Sequence, residues 1–177
     1  MPAQTLLDGR VKADITPMNP KYIENFPRAL GHLMGNLWSL EWMVRNVLYL
    51  EGHAPHTPMP GQRLLLTAQV GNAFPENALT SYASLTPLLK AFNKTASKPI
   101  DLDLVTLRDT LAHGRVVAGN DEAEHLSLVK FHPPDANHSV VVATRYELTL
   151  QWMDEQIIRV GDALDIAIAR YKELGGS

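Results

Sequence analysis

A chain of 177 residues is long enough to bury a core without disulfides or metal staples. Its composition, 45% hydrophobic and 20% charged, is that of a globular protein and excludes a disordered or membrane-embedded chain. The lack of cysteine rules out disulfides, thiolate zinc sites and thiol nucleophiles, and a net charge of −3 argues against nonspecific coating of nucleic acid while leaving room for a small basic site.

One domain over residues 1–177 is expected, with residues 1–18 as a loose N-terminal arm that shows no sustained period. The opening stretch MPAQTLLDGRVKADITP holds no apolar run long enough for a signal peptide, so a cytoplasmic protein is expected. Asn19 and Pro20 suit an N-cap and a first helical residue, but Pro27 would interrupt a helix begun there. The first long helix is therefore expected to start near Pro27. Leu30, Leu33, Leu37, Leu40, Val44 and Val47 alternate steps of three and four, as a bundle helix requires, up to Glu51 and Gly52. His32, Glu41 and Arg45 mark this stretch as a buried bundle helix and not a membrane span. Trp38 and Trp42 stand four apart on it, where they read as core or interface packing before they read as a pocket lining or a base-stacking pair.

The segment GHAPHTPMPGQ is a loop with stiff, extended pieces. Its His53 and His56 have a spacing that a metal could use, but no acidic or cysteine cluster supplies further ligands, so they read as solvated. The next stretch, RLLLTAQVG, is too short for periodicity to separate a strand from a buried helical turn. A second helix is expected from about Glu76, with Ala78, Tyr82, Leu85, Leu89 and Phe92 on one stripe; Pro87 should kink it or restart it with Thr86 as cap. A third begins after Pro99, with Asp101 as N-cap and Asp103 in its first turn, and ends between Gly114 and Gly119.

Beyond a turn at Gly119 and Asn120 the pattern becomes alternating. Leu126, Leu128 and Lys130 alternate with Ser127, Val129 and Phe131, and HSVVVATRYEL resumes after the turn PPDAN, which predicts a hairpin packed on the helices. His125, His132 and His138 read as surface residues of that hairpin. The last helix is expected from about residue 149 to 174, with Leu150, Met153, Ile157, Val160, Leu164, Ala167 and Tyr171 as its stripe. The fold class is mainly all-α: an antiparallel bundle of four main helices with a β-hairpin inserted before the last.

Chemistry concentrates in DLDLVTLRDTLAHGRV, residues 101–116. Leu104, Leu107 and Leu111 form the core stripe of that helix, which leaves Arg108, Asp109 and His113 to explain. Asp109 and His113 are four apart, so the carboxylate can orient the imidazole. Arg108 and His113 are five apart, roughly 140° around an ideal helix, so one copy does not easily bring both onto one small ligand. Two copies could. Val105 and Ala112 lie between them on the wheel, and a residue as small as Ala112 lets another helix approach, so this arc suits a dimer seam with polar edges.

Arg108, the polar residue after it, and His113 a few residues on resemble the signature of the HEPN family, the higher eukaryote and prokaryote nucleotide-binding helical domains. The segment LRDTLAHGR is similar to its prokaryotic members. The resemblance implies a homodimer whose motif helices form one composite groove and, in many members, a metal-independent endoribonuclease. In such a site His113 is acid or base, Arg108 the phosphate clamp and Asp109 the residue fixing the imidazole; Arg115 beside the motif adds phosphate affinity. RNA or a nucleotide is the implied ligand, an antitoxin or other protein a possible partner, and neither a metal nor a cofactor is called for. Other family members bind nucleotides or serve as dimer scaffolds, which leaves a noncatalytic module as the alternative. In a bundle unrelated to the family, the three residues would be a surface ion-pair cluster. The Walker and dinucleotide glycine patterns, the serine-nucleophile elbow and long basic runs are all absent.

Overall fold

The leucine stripe of the first helix sets the core. The structure, a computed structural model, describes residues 20–52, 65, 67–118 and 126–176. The expected N-terminal arm, His53, His56, the turn at Gly119 and Asn120, and His125 lie outside the described residues. Helix α1 (Pro20–Glu51) buries Leu33, Leu37, Leu40, Val44 and Val47 to 1% exposure or less. It begins at Pro20 and not near Pro27, because a proline inside a helix removes one backbone hydrogen bond, and burial of the adjacent Phe26 against Leu126, Leu128, Leu148 and Met153 holds this end in place. Trp38 and Trp42, read as core or interface packing, are not in the core: they are 63% and 36% exposed on the side of α1 away from that stripe.

Helix α2 (Leu85–Thr95) is shorter than the expected helix from Glu76. Local bonds divert the chain before it. The Asn77 side chain accepts from the Leu79 N–H at 2.8 Å, and Thr80 Oγ1 accepts from the Asn77 N–H at 2.9 Å. Arg45, 9% exposed, then donates to the carbonyls of Ala78, Ser81 and Ala83 while pairing with Glu41 at 2.9 Å. These carbonyls are held by α1, and Tyr82 points fully into solvent. Pro87 falls in the first turn of α2, where its missing N–H would have had no helical acceptor.

Helix α3 (Asp103–His113) ends where Gly114 takes an extended conformation. Asp101 works from one residue before the N-cap position, its Oδ1 accepting from the Asp103 N–H at 2.9 Å. Helix α4 (Leu150–Glu173) has the boundaries its periodicity predicts, with Thr149 as N-cap accepting from the Trp152 N–H at 3.0 Å.

Between α3 and α4 stands a three-stranded antiparallel sheet in the order β1 (Arg115–Ala118), β2 (Leu126–Phe131), β3 (Val142–Leu148). The expected hairpin is β2–β3. The strand β1 was not foreseen: its four residues follow α3 after one glycine and pair Arg115 with Val129 and Val116 with Leu128. Leu126, Leu128 and Leu148 point into a second core cluster with Phe26 and Met153, and Leu111, Tyr146 and Trp152 pack against it.

The arrangement departs from an antiparallel bundle in one respect. Phe26 and the start of α4 share the cluster at the sheet, whereas Glu51 at the other end of α1 pairs with Arg170 near the end of α4 at 2.9 Å. Thus α1 and α4 run in the same direction. The chain can do this because α3 carries it back, from an ion pair of Asp101 with Arg159 to the sheet beside Leu111. The molecule is mainly helical, with the sheet placed before the last helix. Among the described residues no helix is long and apolar enough to cross a membrane.

Candidate functional site

Helix α3 presents the motif because its other side is committed to the core. Leu104, Leu107 and Thr110 are buried, and the Thr110 hydroxyl is satisfied by donating to the Thr106 carbonyl at 2.7 Å. Arg108 and Asp109 are partly buried, and Ala112 and His113 are exposed. The predicted arc from Arg108 to His113 is therefore the outward side of α3.

The carboxylate of Asp109 does not serve the imidazole. Its Oδ1 accepts from Arg108 Nη1 at 3.3 Å, and its Oδ2 lies 3.9 Å from Lys130 Nζ. Lys130 comes from β2, where alternation puts it in the row of Leu126 and Leu128 facing the helices. A lysine at the end of an inward row meets the acid that α3 presents there. The side chains of Arg108, Asp109 and Lys130 retain 28–40% exposure, so this is a solvated chain of charges and not a buried ion pair.

His113 closes the helix and stands at the mouth of an open groove of about 800 Å³. Its other walls include Arg115, Lys130, Phe131 and His132. The tight passage from α3 to β1 sets this geometry. A Cβ on Gly114 would run into the Thr110 carbonyl oxygen and lie 2.7 Å from Leu128 Cδ1, so glycine lets Arg115 enter the sheet directly after His113. The guanidinium carbon of Arg115 lies 5.6 Å from the centre of the Phe131 ring.

The structure thus brings His113 and Arg115 to one groove and leaves Arg108 beside it, bound to Asp109. Sequence reasoning missed Lys130, Phe131 and His132 as neighbours of the motif. The available signal was Lys130 itself, a charged residue at an inward position of an alternating strand. Chemically, the groove offers two permanent cations, two imidazoles and an aromatic face, a donor set matched to phosphate and to a flat ring. Among the described residues no three His, Asp or Glu side chains are placed to hold a metal ion. No protein-family model, curated protein or solved structure matches the chain.

Proposed function

We propose that this protein is a metal-independent endoribonuclease of HEPN type, acting as a cytoplasmic homodimer in a toxin or defence role. The observation that carries the reading is the exposure of His113 at a groove shared with Arg115 and Lys130 on an otherwise acidic chain. Cleavage of RNA without a metal needs a group to take the 2′-hydroxyl proton, a group to protonate the leaving 5′-oxygen, and cations against the phosphorane charge. His113 is the proton carrier in this reading, and Arg115 holds the phosphate. Arg108 and His113 lie on the outward arc of α3, and a second α3 packed across Val105 and Ala112 would supply to each His113 the Arg108 of the other copy.

A noncatalytic module, binding a nucleotide or a partner protein, is the second reading. It draws on Asp109, whose oxygens face Arg108 and Lys130, so that among the described residues no hydrogen bond from a carboxylate orients the imidazole. The deciding experiment is cleavage of mixed RNA in excess chelator by the wild type, His113→Ala and Arg108→Ala, with the mass of each in solution measured alongside. Catalysis predicts cutting by a dimeric wild type and a loss of at least about a hundredfold in His113→Ala with the dimer intact. A folded dimer that leaves RNA whole across neutral pH supports the noncatalytic module.

A further inference from the structure

We infer that the groove beside His113 is a subsite for single-stranded RNA, in which a base stacks on the Arg115–Phe131 pair and the flanking phosphates lie on Arg115 and Lys130. The choice of RNA rests on the ribonuclease reading, and the inference deepens it by naming the form of substrate and the residues that hold it away from the reacting bond.

The sheet register builds this surface. Arg115, Val129 and Arg145 are cross-strand partners and so share one face of the sheet, opposite the row that packs on the helices; Lys130 belongs to that helix-facing row and also lines the groove. Phe131, two residues beyond Val129, continues that face; it is 36% exposed, with the Arg115 guanidinium over its ring. A register shift between Lys130 and Phe131 lets β3 bend at this end, where the groove opens. Among the described residues no acid lines the groove, although Asp109 lies 3.9 Å from Lys130 behind it and the whole chain is net negative. Its remaining walls are largely apolar, including Pro133, Pro134 and Val140.

Each property narrows the ligand. Two cations, of which only Lys130 has a carboxylate nearby, select an anion. An aromatic ring that is 36% exposed, with a guanidinium over it, selects a ligand with a free flat face, which a base in a single strand has and a base in a duplex lacks. An acidic peptide would satisfy the cations and leave the ring unused.

The test is binding of a fluorescent 2′-O-methyl RNA strand, which has no free 2′-hydroxyl and is not cut, to the full-length chain, beside the same sequence as a duplex. The wild type is expected to prefer the single strand. Phe131→Leu should weaken single-strand binding about tenfold and leave duplex binding unchanged. Arg115→Gln and Lys130→Gln should each reduce the steepness of the salt dependence by about 0.7 in a plot of log affinity against log salt. Circular dichroism melts of the variants establish that they remain folded. The inference is overturned if the folded wild type does not bind the strand, or if Phe131→Leu binds it as the wild type does. Binding with these dependences, together with failure to cut unmodified RNA, removes the nuclease reading and keeps the subsite. Cutting by wild type and by Phe131→Leu with equal KM does the reverse.

Discussion

Gly114 is the residue on which the site geometry depends most directly. Its backbone is extended at φ −75, a conformation open to any amino acid, so the demand for glycine comes from space and not from torsion. The Leu128 side chain could turn aside from an added methyl group, but the Thr110 carbonyl is backbone and is fixed by accepting from the Gly114 N–H at 2.7 Å. Gly114→Ala should therefore destabilise the fold by about 1–3 kcal/mol, the usual effect of overpacking, as measured by urea denaturation. It should also weaken whatever the groove binds, since Arg115 follows directly. A variant as stable as the wild type would mean that the passage from α3 to β1 is looser than described. The same scale explains why the roles within the motif were only partly legible. Spacing puts Asp109 and His113 on neighbouring turns of one helix, but it is silent about Lys130, whose approach through the sheet gives the carboxylate a cationic partner.

At the scale of elements, α3 is pinned to α4 by Asp101, which accepts from the Asp103 N–H and pairs with Arg159. The backbone hydrogen bond from Asp103, and then the Arg159 guanidinium, hold the Asp101 carboxyl below its ordinary value of 3.8. A carboxyl whose pKa is lower folded than unfolded binds protons more readily in the unfolded chain. Its stabilisation is thus present above 3.8 and is lost as the pH falls through the folded value. Asp101→Asn should be less stable than wild type at neutral pH, and the difference should shrink as both are denatured at successively lower pH; a difference that stays constant would assign the effect to something other than charge. Periodicity made α1 and α4 legible because each keeps one apolar stripe over many turns, and Thr149 marks the start of α4 by its type. It failed before α2, where Arg45 and Asn77 take up backbone groups that a helix would have used. It failed also at β1, four residues whose strand character comes from pairing with residues eight to fourteen positions away. Tertiary partners decided both cases, and a local pattern does not contain them.

The two core clusters bear on how the whole molecule unfolds. The larger joins the four helices through residues such as Leu37, Phe92, Leu107 and Val160, and the smaller lies under the sheet around Leu128 and Met153. They are not separate cores, because Leu111, Tyr146 and Trp152 pack against both. Tyr146 and Trp152 face each other with ring centres 5.2 Å apart, and burial raises the Tyr146 pKa above its ordinary value. Loss of the sheet would therefore strip cover from the helical core as well. Unfolding is expected to be a single cooperative transition, with the sheet and helices lost together. The chain supplies its own reporter. Trp38 and Trp42 are exposed, so Trp38→Phe with Trp42→Phe should change stability by no more than about 0.5 kcal/mol each and leave Trp152 as the sole indole. In that double variant, Trp152 fluorescence should follow urea with the same midpoint as the helical circular dichroism signal. An earlier fluorescence midpoint would show the sheet end separating first, and the groove would then belong to an element able to open while the helices remain folded.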